Sequence, residues 1–81
     1  MKFAQWLLSE NRVIVTGYSN DGHVSLKVNG ETISYIVDAG WAGRIVDELR
    51  NIRNPSVYQR KAVDFLNTIN RLVVSGKATK A

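Results

Sequence analysis

Asn29-Gly30 stands between two runs of alternating residues, and no other feature constrains this chain's fold as strongly. Both residues tolerate the positive φ that a two-residue type I′ turn demands, so the dipeptide predicts a tight β-hairpin. A two-residue loop fixes the register: Val28 faces Glu31, Leu26 faces Ile33 and Val24 faces Tyr35. Val24, Leu26, Ile33, Tyr35 and Val37 then share one face, so turn chemistry and hydrophobic pattern agree. A third β-branched run, Val13 to Tyr18, precedes the turn cluster Ser19-Asn20-Asp21-Gly22. It places Val13 and Val15 on the same apolar face. The opposite face carries Ile14, Thr16, Tyr18, His23, Ser25, Lys27, Thr32, Ser34 and Ile36, a mostly polar set expected to be wet.

Helical spacing frames these runs. Phe3, Trp6 and Leu7 predict a short N-terminal helix, too short to persist without docking on the rest. Asp38 is placed to cap a second helix through Ala42, Ile45, Val46, Leu49 and Ile52, which Asn54-Pro55 ends. Asn54 caps a third helix whose apolar stripe runs from Tyr58 through Phe65 to Val73 and stops at Gly76. The expected fold is α+β: a short N-terminal helix, a three-stranded antiparallel meander, and two C-terminal helices packed on one sheet face. The 81 residues suffice for a single domain, expected over residues 1–76, with 77–81 a flexible basic tail.

Chemistry is sparse. The chain has no cysteine and one histidine, His23. The first feature excludes disulfides, thiol nucleophiles and thiolate metal sites, and fits a cytoplasmic protein. The apolar start, Phe3 to Leu8, is too short for a signal peptide, and no run approaches membrane-spanning length, so no membrane partner is expected. His23 begins a strand on the polar face, and the carboxylates suit turns, caps and helix surfaces rather than a converging dyad. No catalytic residue, metal site or cofactor is therefore expected, and the chain reads as a non-enzymatic binding module. Gly40-Trp41-Ala42-Gly43 opens the second helix and could cradle a phosphate, but close packing of small residues explains it better.

Charge gives the sharper lead. The net charge is +4, with three basic and four acidic residues in 1–40 against eight and three in 41–81. Arg44, Arg50, Arg53, Arg60 and Lys61 flank the Asn54-Pro55 junction in sequence and suggest a basic corner. Such a corner would engage nucleic acid or an acidic protein surface. Tyr18, Lys27, Ile14 and Ile36 on the wet sheet face form a second candidate surface, for a partner or for a homodimer through the face or an edge.

The stretch Val15-Thr16-Gly17-Tyr18, continuing through Val24-Ser25-Leu26-Lys27-Val28-Asn29-Gly30-Glu31-Thr32-Ile33-Ser34-Tyr35, resembles the KTSC domain over roughly residues 13–48. Ile33-Ser34-Tyr35 stands where that family has Y-x-Y. The resemblance implies a small module, found alone or at the C-terminus of some lysyl-tRNA synthetases, for which RNA binding has been suggested. It assigns no functional residue here. The order of elements is also similar to that of some small phage-encoded anti-CRISPR proteins. That likeness is architectural; small size, sparse chemistry and the apolar residues of the sheet face support the alternative function, an inhibitor or adaptor that binds and blocks a host protein.

Overall fold

The computed structural model describes residues 12–81. Three strands, β1 (Val13–Tyr18), β2 (His23–Val28) and β3 (Glu31–Ile36), form an antiparallel meander. Two helices follow, α1 (Ala39–Arg50) and α2 (Pro55–Val74), and then a short strand β4 (Thr79–Lys80). The sheet order is β1-β2-β3-β4. The N-terminal helix expected from Phe3, Trp6 and Leu7 lies outside the described residues.

The hairpin forms in the expected register, with Val28 opposite Glu31, Leu26 opposite Ile33 and Val24 opposite Tyr35. Asn29 and Gly30 have φ of 51° and 91°, the positive pair that the turn requires. Val13, Val24, Leu26, Tyr35 and Val37 from the sheet meet Ala42, Val46, Leu49, Ala62, Phe65 and Ile69 from the helices in one buried core. Both helices therefore cover the same sheet face. The Tyr35 hydroxyl donates to Asn70 Oδ1 at 3.2 Å, and burial pushes its pKa up, so it remains a neutral donor.

The helix ends follow local chemistry. Asp38 Oδ2 accepts the Trp41 N–H at 2.9 Å, and Asn54 Oδ1 accepts the N–H groups of Ser56 and Val57 at 2.9 and 3.2 Å. Pro55 opens α2, where its missing N–H costs no hydrogen bond. Gly22, at φ 90°, lies beneath the end of β3, where its carbonyl accepts the Val37 N–H at 2.9 Å. A Cβ at Gly22 would stand 2.1 Å from the Val37 carbonyl oxygen, so only glycine fits this junction.

Three expectations need correction. Residues 77–81 do not stand off as a tail but return to the sheet, which has four strands rather than three. Beyond Gly76, at φ 80°, the N–H groups of Lys77 and Ala78 both donate to Leu72 O, at 2.8 and 3.2 Å. This turns the chain back so that Ala78 is buried and Thr79 and Lys80 pair with Ile36 and Tyr35. The Ala81 N–H donates to Ser34 O at 2.9 Å. One small apolar residue among polar neighbours leaves no periodic trace, which is why the segment reads as a tail.

The third correction concerns Tyr18, which does not lie on the wet face. The β1–β2 register slips between Val15 and Gly17, so that Gly17 faces Ser25 and Tyr18 faces Val24. One extra residue in β1 at Thr16 reverses the parity of everything beyond it. Tyr18 therefore turns to the helical side, where its hydroxyl donates to Ala39 O at 2.9 Å. A Cβ on Gly43 would stand 3.0 Å from that hydroxyl, so the small residues of α1 serve to admit the tyrosine ring.

Candidate functional site

The outer edge of β1 is closed by side chains of α2. The Gln59 amide accepts the Val13 N–H through Oε1 and donates through Nε2 to Val13 O at 3.1 Å. From the preceding position on the helix, the Tyr58 hydroxyl accepts the Val15 N–H at 3.1 Å. Gln59 is the buried polar residue of the core among the described residues. It gives Val13 the same donor and acceptor that a neighbouring strand would. Beyond Val15 the bulge bends β1, and a cleft of about 180 Å³ opens between the strand and the α1–α2 junction. Val15, Val46 and Leu49 supply its apolar part, and Thr16, Arg50 and Tyr58 its polar part. A second open cleft, about 190 Å³, lies between the helices beside Trp41, Ile45, Lys61 and Phe65. The Trp41 and Phe65 rings there are 5.3 Å apart and tilted by 50°.

The five basic residues expected to form one corner take different places. Lys61 is committed to an ion pair with Glu48 across the helices. Arg50 lies 3.9 Å from Asp47 one turn earlier, in an exposed contact of little energetic weight. Arg44 stands six residues before Arg50, about 120° round the helix, so the two do not share a face. Arg44 and Arg60 project from the solvent side of the helical layer, and Arg53 lies exposed in the junction. None of these three forms an ion pair with another described residue. Arg71 also projects from the outer side of α2; its distance from the junction in sequence sets it apart from the expected corner.

On the sheet face away from α1 and α2, Lys27 is exposed between Ile14 and Thr32. Ile14 pairs with Lys27, whereas Ile36 pairs with His23 at the far end of β2. Two strand spacings and four residues separate the isoleucines, about 16 Å. The Ser25 and Ser34 hydroxyls lie between them, 3.1 Å apart and hydrogen-bonded. With Tyr18 on the other side, this face carries two isolated apolar residues and no contiguous apolar patch among the described residues.

The remaining polar groups have local partners. His23 is exposed with Nδ1 3.9 Å from Asp21 Oδ2. The Ser19 hydroxyl, followed by the His23 backbone N–H, holds the Asp21 carboxyl below the usual range. The Asp38 carboxylate caps the N-terminus of α1, taking up the Trp41 N–H and placing negative charge there. Among the described residues, no group of three or more His, Cys, Asp or Glu could hold a metal ion. Nor is any helix there long and apolar enough to cross a membrane.

No protein-family model, curated protein or solved structure matches this chain.

The edge cap and the cleft were missed from sequence for different reasons. Gly17 inside a β-branched run is a recognised sign of a bulge, so the reversal of Tyr18 left a readable trace. Gln59 is a polar residue beside an apolar stripe, and nothing local distinguishes it from a solvated one.

Proposed function

We propose that this protein is a non-catalytic binding module for an acidic partner, engaged through the outer surface of its helical layer. The observation that carries the reading is the set Arg44, Arg53 and Arg60: exposed guanidiniums without an ion-pair partner among the described residues. Six basic and three acidic side chains lie between Ala39 and Ser75, and Lys61 and Arg50 each contact one of those carboxylates. Arginine forks suit phosphates and carboxylates alike. Binding to random-sequence RNA, random-sequence DNA and poly-L-glutamate, measured against salt, tests the reading. At least one polyanion should bind at low salt, with affinity falling steeply as salt rises. Replacing Arg44, Arg53 and Arg60 with Gln should weaken that binding and remove up to about three contacts from the salt slope. Absence of binding to all three polymers at low salt, or an unchanged slope in the triple variant, would refute it.

A further inference from the structure

The cleft beside the β1 bulge differs in kind from the rest of the basic surface. It joins an apolar pocket to a single guanidinium. Val46 and Leu49 are each only 2% exposed and Val15 is half-buried, while Thr16 and Arg50 stand in solvent. Its volume of about 180 Å³ is well below the roughly 300 Å³ at which small-molecule pockets begin. A space of this size suits one aliphatic side chain. Nucleic-acid bases are held by stacking on exposed aromatic faces. The aromatic residue here, Tyr58, is half-buried, with its hydroxyl tied to the Val15 N–H at 3.1 Å.

Arg50 supplies the charge. Its 3.9 Å contact with Asp47 is between two exposed side chains, so a better-placed carboxylate can replace it. Tyr58 accepts from Val15 and retains its own hydroxyl proton to donate. We infer that the cleft is an anchor pocket for a protein partner: it takes one aliphatic side chain, and Arg50 grips a carboxylate next to it. This rests on the acidic-partner reading and narrows it to a protein. Small buried anchor pockets ringed by polar groups are where binding energy concentrates in protein interfaces.

N-acetyl-L-leucine carries both features and serves as the probe, with N-acetyl-L-leucinamide as its uncharged control. Titration into the isotope-labelled protein should shift the amide resonances of Gly17, Leu49, Arg50 and Tyr58 saturably. The control should bind about tenfold more weakly, as should R50Q with the acid, since a charge-assisted contact is lost in each case. R50Q alters an exposed side chain, and its spectrum reports whether the fold is kept. In T16W the new ring should block the mouth of the cleft and abolish the response. Shifts that do not saturate, that map elsewhere, or that are equal for acid and amide would overturn the inference. The polyanion titrations distinguish the two readings. Polyanion binding without a response to N-acetyl-L-leucine removes the cleft and leaves the basic surface. A response in the cleft without polyanion binding retains the pocket and removes the surface, and silence in both removes both.

Discussion

Gln59 carries both halves of an amide to the place where a neighbouring strand would lie. It satisfies the N–H and C=O of Val13, which is itself only 2% exposed. Gln59→Leu keeps the bulk but orphans two backbone groups in a dry setting, and should cost about 2–4 kcal/mol in a denaturant melt. A loss below about 0.5 kcal/mol would mean that water replaces the amide. Gln59→Glu adds a pH test. A protonated carboxyl can both donate and accept, whereas the carboxylate only accepts and is costly to bury. The folded-state pKa of the introduced carboxyl should thus rise above the ordinary value of about 4.3. The variant should be least destabilised below that value and lose stability as pH rises through the folded pKa. A pH-independent penalty would contradict the two-sided contact.

At the scale of elements, β4 is the least secure piece: two residues paired to the edge of β3, anchored by the burial of Ala78. Removing residues 78–81 should cost about 1–2 kcal/mol, from one buried methyl and a few edge hydrogen bonds. Amide exchange should quicken at Ala42 and Leu72 less than at Ser34 and Ile36, whose backbone groups face the bared edge of β3. Uniform acceleration would mean that β4 stabilises the whole fold. The hairpin was legible because the φ demand at Asn29-Gly30 and the alternation on either side name one register independently. The helices were legible because Asp38 and Asn54 are caps standing before apolar stripes. β4 was not, because its pairing depends on Gly76 and Leu72 carbonyl geometry rather than on any pattern within Lys77–Ala81. Tyr18 was misplaced by one residue of bulge, and that slip also dissolved the expected cluster with Ile14 and Ile36.

At the scale of the whole molecule, and among the described residues, the helical layer carries most of the excess positive charge, while the sheet face away from α1 and α2 is polar with apolar residues at two corners. The basic candidates were readable as an excess of charge, but not as a layout, since helix phase sends Arg44 and Arg50 in different directions and Lys61 to Glu48. Among the described residues, about 16 Å separates Ile14 from Ile36, and they form no continuous apolar area on the sheet face of the kind a stable dimer needs. Replacing both with Lys should leave the thermal melt and the sedimentation behaviour close to those of the unaltered protein. A loss of folding would place this face in the core, and a change in oligomeric state would restore it as an interface. The Gln59 contact also sets an order in time. Its two partners are 46 residues apart, whereas β1, β2 and β3 pair through short turns. During synthesis the meander can form long before α2 has emerged, and for that interval the Val13 edge stands open to any other extended chain. Slow codons between β3 and α2 should therefore lower the yield of folded protein without altering a single residue, and unchanged yield would mean that the edge is protected before α2 docks.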